Sequence, residues 1–509
     1  MIPNQASSRR EPHRIATATA ARNELRWLKI VALVLFAIKL AFILFAGPSS
    51  DEAYYWLWGQ HPDLSYFDHP PFHSWLLGIS DAVFGRSLLS LRWLTIATAL
   101  GTFWIFRVWA QRFAGANWEI VWWRSVAIYL ASPLFLLFFS VAFHDYLLGF
   151  LCLLSAHFFL LFLADTAEAK RAKLWHLYLG AIVLGFAGLT KYAAGFVGLG
   201  LALTILSYRP LRPLLRSIHL YLAAGFCVVM QAPVLIWNVR QGGASFRFHL
   251  VGRHANDWLA HPSLARVFEF PLASMLLLSP LLIPVFFRFF WHQPPTAFER
   301  VGQRWAVWIF WITSGLFLLY SLYDYVNFWW NIPAYLLVLP FAGKYLGGRL
   351  LVGHLAYGLA ASLFILFNYV VVPVPTVSGN NDFRLSQLYG WEVLEPTIRP
   401  LQQQYKPDFI ASDYAEIANI VAFALDHPEV TSLTPLINQF DYWFEPEAHR
   451  GQTALLVLDT AESTDFLRSQ FNSFEPVAEV PVVRLGYRVR TFRFFIGRGY
   501  APSPEQPAN

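Results

Sequence analysis

The sequence predicts a polytopic α-helical membrane protein of about 11 transmembrane helices with a small α/β domain at its C-terminal end. Three observations predict it. Of 509 residues, 56% are hydrophobic and only 14% charged, whereas soluble globular proteins carry about 25% charged residues. Apolar runs of about 17–25 residues, the length that crosses a bilayer, recur up to residue 372. Beyond that point the chain is more polar and punctuated by Pro. Phe, Trp and Tyr make up 17%, which suits aromatic belts at two lipid–water interfaces.

In chain order, residues 1–26 form a polar tail with Arg9, Arg10, Arg14, Arg22 and Arg26. The run 27–46 follows, longer than the 7–15 residues typical of a signal-peptide core, so it reads as an uncleaved first span. Further spans are expected at 88–110, 126–143, 146–164, 174–189, 193–208, 218–237, 267–287, 305–322, 332–346 and 350–372. Lys and Arg in short loops mark the inner side. They fall at Arg107/Arg112/Arg124, Lys170/Arg171/Lys173, Arg209/Arg212/Arg216, Arg288/Arg300/Arg304 and Lys344/Arg349. The tail 1–26 is then cytoplasmic, 27–372 is the transmembrane domain, and an odd span count puts 373–509 outside. There "DFIASDYAEIANIVAFAL" reads as a strand, a turn and an amphipathic helix, and "TALLVLDT" as a second buried strand.

Cys152 and Cys227 both lie in apolar runs, so neither a disulfide nor a thiolate metal site is expected. The net charge of +6 reports topology rather than nucleic-acid binding. There is no internal repeat and no Walker or GxGxxG motif.

Charge concentrates just after the first span, in "DEAYYWLWGQHPDLSYFDHPPFHSW", Asp51 to Trp75. Ser49 and Glu52 have the spacing of a capping box, which assigns Glu52 to a cap. Asp51 would sit in the first turn, where the helix dipole favours a negative charge. Tyr54, Tyr55, Trp56 and Trp58 place this helix in the outer interface, where an ionisable group is a functional candidate. Pro70 and Pro71 fix an extended turn behind Asp68 and His69.

Three further stretches fall on the same face. "HDY" places His144 and Asp145 in a tight connection, where Asp equally serves turn formation. "LTKY" places Lys191 and Tyr192 in another, where Lys can simply snorkel. "NVRQGGASFRFHLVGRHANDW" carries Arg240, Arg247 and Arg253 with His249 and His254, against the positive-inside trend, and suits an anionic phosphate. "YDYVNFWWNIP" fits an aromatic belt, with a sugar-binding platform as the alternative. Lys39 in mid-span is costly, at roughly 2.5–3.5 kcal/mol, and should face the bundle interior; nothing in the sequence gives it a role.

"DEAYYWLW", "YFDHPP", "HDY" and "LTKY", in this order and at these positions, resemble the polytopic GT-C glycosyltransferases. The resemblance is to bacterial relatives of dolichyl-phosphate-mannose protein mannosyltransferases, a group that includes the lipid A aminoarabinose transferase. It implies a sugar donor on a polyprenyl phosphate and an acceptor at the periplasmic face of the bacterial inner membrane. It assigns catalysis to Asp51; Asp145 is read beside it as a second site carboxylate that orients the acceptor or assists the base. His69 stands where the aminoarabinose transferase pattern has Lys, so Lys191, Arg240, Arg247 and Arg253 become the candidates for the donor phosphate. Glu52, Tyr55, Asp68, His69, His144 and Tyr192 complete the expected substrate-binding set.

The chemistry agrees with these residue types. A base must take the acceptor proton, and cations must stabilise the departing phosphate. A single displacement inverts the anomeric centre. Two carboxylates could instead bind a divalent cation, and the sequence leaves this open. Lipid A or lipopolysaccharide core is the favoured acceptor. A protein hydroxyl is the alternative within the class, and a lipid-linked-sugar transporter the alternative outside it. Membrane lipids are the surrounding partners, and no nucleic acid is expected.

Overall fold

A computed structural model describes residues 10–252, 262–379, 386–459 and 464–502. The chain opens with helix α1 (Arg10–Phe45), whose apolar part, Ala21–Phe45, is long enough to cross a membrane. Two short helices follow, α2 (Ser50–Gln60) and α3 (Phe72–Phe84). They cross at Gly59 and Gly78, where a Cβ on Gly78 would lie 2.5 Å from the Gly59 carbonyl oxygen. Only glycine allows so close an approach. Helix α4 (Leu88–Phe113) is again of spanning length.

Several expected spans are broken rather than continuous. The run 126–143 divides into α5 (Trp118–Leu130) and α6 (Pro133–Phe138), because Pro133 has no N–H to continue the ladder. Residues 139–143 are non-helical, and α7 (His144–Ala167) then crosses in one piece. The run 267–287 bends by 87° at Ser279, which has φ 101° and precedes Pro280. The run 218–237 bends by 41° between Ile218–Val229 and Ala232–Arg240. The run 332–346 forms two short helices, Ile332–Leu336 and Leu339–Tyr345, each with Pro in its first turn. Among the described residues four helices are long and apolar enough to cross a membrane, or up to seven if each bent pair is one span.

The C-terminal part is a five-stranded sheet of order β2-β1-β3-β5-β4. Strands β1 (Phe409–Ser412), β2 (Val430–Ser432) and β3 (Thr453–Asp459) are parallel. The helix Ala415–Leu425 connects β1 to β2. Strands β4 (Phe471–Arg484) and β5 (Tyr487–Tyr500) form an antiparallel hairpin. Its two-residue turn, Leu485-Gly486, has φ of 50° and 82°. Both central residues of such a turn need positive φ, and Leu in place of Asn or Gly hides the signal.

Alternation along β3 buries both faces of the sheet. Ala454, Leu456 and Leu458 pack with Phe409, Phe471 and Phe495 in a core of the sheet's own. Leu455 and Val457, with Ile410, Phe492 and Phe494, join the same apolar core as α2, α4 and α7. The sheet is thus fused to the helical part through one face.

Candidate active site

The local fold around Asp51 starts from a cap. Ser49 Oγ accepts from the Glu52 N–H at 3.2 Å, and Glu52 Oε2 accepts from the Ser49 N–H at 3.0 Å. This closes the capping box and starts α2. Its two acidic residues then diverge. Glu52 is fully buried, while Asp51 is exposed to a cavity of about 480 Å3.

Asp51, Tyr55, Asp68, His69, His144, Asp145, Lys191 and Tyr192 line this cavity. The sequence spreads them over some 140 positions, and three devices bring them together. Tyr66 Oη donates to the Trp58 carbonyl at 2.7 Å, folding the first loop back on α2. Phe72 N–H donates to the Leu189 carbonyl at 3.0 Å, tying that loop to the Lys191 turn. His249 Nε2 lies 2.7 Å from the Asp68 carbonyl oxygen, bringing in the later loop.

Two groups of opposite sign meet in the cavity wall. Lys191 Nζ donates to both carboxylate oxygens of Asp145, at 2.8 and 3.0 Å. Desolvation by the cavity walls around it raises the Asp51 carboxyl to about 6, helped by the negative charges of Glu416, Glu52 and Asp145 and opposed by Lys191. Glu416 belongs to the helix Ala415–Leu425 behind β1. Three imidazoles cluster beside Tyr55, with His144 centred 4.5 Å from His69 and 4.7 Å from His73 and tilted to both. Burial lowers His73, on α3, to about 3, so it is neutral. Phe317, Asn327, Trp329 and Trp330 form a largely aromatic wall.

Some expected residues lie elsewhere. Glu52 does not line the cavity, because its oxygens are taken by Ser49, Arg92 and the Ala142 N–H. The substrate contact expected of it is replaced by the structural one. Arg240 and Arg247 are exposed and off the cavity wall. Their loop instead turns Phe248 and His249 inward and sets Ser245 Oγ 3.1 Å from Tyr192 Oη. Arg253 and His254 lie outside the described residues. Among the described residues no group of three or more His, Cys, Asp or Glu is placed to hold a metal.

Sequence reasoning missed His249 as a lining residue, and it missed Arg92 and Glu416 altogether. Arg92 sits unmarked inside an apolar run, and its only signal is the cost of a charge there. Trp329 and Trp330 were within reach, since the platform alternative puts them at a ligand.

Residues 68–237 match the family described as dolichyl-phosphate-mannose-protein mannosyltransferase. The lipid A galacturonosyltransferase RgtD of Rhizobium johnstonii is 26% identical over 396 residues, 74% of this chain and 77% of that one. ArnT from Cupriavidus metallidurans, in a crystal structure bound to undecaprenyl phosphate, superposes with a TM-score of 0.61 at 15% identity. The match covers 92% of this chain and 97% of ArnT. The chain is a glycosyltransferase that resembles the GT-C type. The apo state of the same ArnT gives a TM-score of 0.61 at 14% identity, over 93% of this glycosyltransferase and 98% of ArnT. The transferase is accordingly a multi-pass membrane protein with the fold of ArnT.

Proposed function

We propose that this transferase moves a sugar from a polyprenyl-phosphate donor to lipid A or lipopolysaccharide core, at the periplasmic face of the inner membrane and with inversion. The observation that carries the reading is the cavity in which Asp51 faces the Asp145–Lys191 pair beneath an aromatic wall. The relatives support the substrates: RgtD is named for lipid A and ArnT holds undecaprenyl phosphate. The N-terminus is cytoplasmic and the sheet periplasmic. Residues 27–372 form the transmembrane unit and 373–509 the outer one.

In the proposed step the Asp51 carboxylate takes the proton of the acceptor hydroxyl. The acceptor oxygen attacks the anomeric carbon as the bond from that carbon to the phosphate oxygen breaks. The electron pair leaves with the polyprenyl phosphate, whose charge Lys191 stabilises. Asp145 holds the Lys191 amine at this point, a role that fits its contacts better than orienting the acceptor. His144 and His69 offer polar contacts to the sugar, and Trp329 and Trp330 its platform.

A protein hydroxyl remains the second acceptor, because the matched family is described as acting on protein. The test is mass spectrometry of envelope lipids from cells lacking the gene, complemented with wild type or Asp51→Asn. Loss of one sugar mass from a single glycolipid, with accumulation of a polyprenyl-phosphate sugar, is expected in the deletion and in the variant alike. Identical lipids from wild type and variant would refute Asp51 as the base.

A further inference from the structure

Lys39 has no part in the step above, yet it is buried in α1 with defined partners. Its Nζ donates to the Phe139 carbonyl at 2.6 Å, to Ser140 Oγ at 2.8 Å and to the Phe135 carbonyl at 3.4 Å. These acceptors lie at and just past the C-terminal end of α6, where the Phe139 carbonyl has no following helical turn to pair with, while the Phe135 carbonyl also accepts from the Phe139 N–H. The amine therefore caps α6 from another helix.

The segment after this cap leads straight to the cavity. Three residues beyond Phe139, the Ala142 N–H donates to Glu52 Oε1 at 2.6 Å. Two residues later α7 begins, with His144 and Asp145 in its first turn and no side-chain cap of its own. The start of α7 is thus held from outside, by Lys39 at one end of the non-helical segment and by Glu52 at the other.

The two holders are themselves joined. Glu52 receives Arg92 Nε at 2.7 Å and Nη2 at 2.5 Å. The same guanidinium donates to the carbonyls of Ile43, Ala46 and Gly47, at 2.8 to 3.0 Å. Those carbonyls stand at the end of α1, a few residues past Lys39. The hydrogen bonds therefore run in a closed ring: α1, the segment 139–142, Glu52 on α2, Arg92 on α4, and α1 again. Asp51 is the neighbour of Glu52 on this ring, and Asp145 follows the segment that it clamps.

We propose that Lys39 is a positioning residue which sets the Asp145–Lys191 pair against Asp51, and so tunes phosphate binding from within the membrane. It acts through Asp145, and the inference rests on the reading of Lys191 as the phosphate ligand. An uncoupled structural lysine would change the amount of folded protein but not the coupling between positions.

The experiment measures binding of undecaprenyl phosphate to the full chain in lipid nanodiscs, read by tryptophan fluorescence. Lys39→Met should weaken binding about tenfold, and Lys39→Arg, which keeps donors, should stay within about threefold. In an Asp145→Asn background the effect of Lys39→Met should disappear, because neighbours in one network are non-additive. If Lys39→Met does not fold, Ser140→Ala opens the same ring without burying a charge, and its weaker effect should vanish in the same background. Full additivity, or unchanged affinity in the folded variants, overturns the inference. Failure of the wild type to bind undecaprenyl phosphate overturns instead the assignment of the donor.

Discussion

The amine of Lys191 sits between the two carboxylate oxygens of Asp145, at 2.8 and 3.0 Å, in the wall of the cavity that Asp51 faces. A cation held this way is oriented but remains available on its remaining side. If it binds the donor phosphate, Lys191→Met should raise the donor KM roughly 10- to 100-fold, since hydrogen bonds to charged groups contribute about 1.5–3 kcal/mol. Steady-state kinetics in nanodiscs checks this. An unchanged KM would assign the phosphate to other residues.

Asp51 should be indispensable for turnover but not for folding. Loss of a general base costs about 10²–10⁴ in rate. Asp51→Asn should therefore lose at least about a hundredfold in kcat, with an unfolding temperature close to that of wild type, because the side chain opens into the cavity rather than filling a core.

The pH dependence follows from the Asp51 carboxyl at about 6. The base form dominates above that value and is lost as pH falls through it. The kcat/KM profile should show an acid limb near pH 6. Glu416 pushes the carboxyl upward, so Glu416→Gln should move the limb to lower pH. A limb that stays in place would show that the sheet domain does not act on Asp51.

The buried Arg92–Glu52 pair predicts an asymmetry. Both side chains are fully buried. Removing one partner leaves an uncompensated charge and costs about 3–5 kcal/mol. Arg92→Met and Glu52→Gln should each lower the thermal unfolding temperature sharply. The double variant should recover part of the loss, since a paired desolvated charge is itself expensive.

These predictions show which parts of the molecule the sequence carries openly. The capping box at Ser49 and Glu52 is local, and its spacing is visible in four residues. Asp51, Asp145 and Lys191 are legible because charge at a membrane interface is rare. The roles within that set are less legible. Glu52 turns inward because Arg92 waits there, and Arg92 is 40 positions away. Arg240 and Arg247 follow the charge pattern of a phosphate loop, yet the loop's packing turns His249 inward instead. Glu416 lies 365 positions from Asp51, and its influence depends on the helix Ala415–Leu425 docking against α2. The β4–β5 hairpin escaped because Leu485 occupies a left-handed position that Asn or Gly usually marks.

The shared core between the sheet and the helices has a consequence for biogenesis. A nascent chain that has delivered α1 to α7 and the Lys191 turn already holds Asp51, Asp145 and Lys191. It lacks the helix Ala415–Leu425, which packs Phe423 against Trp56 of α2 and carries Glu416. Such a chain carries the reactive groups without the setting that tunes them. The setting of Asp51 is therefore complete only once the C-terminal part has folded back and that helix has docked on α2.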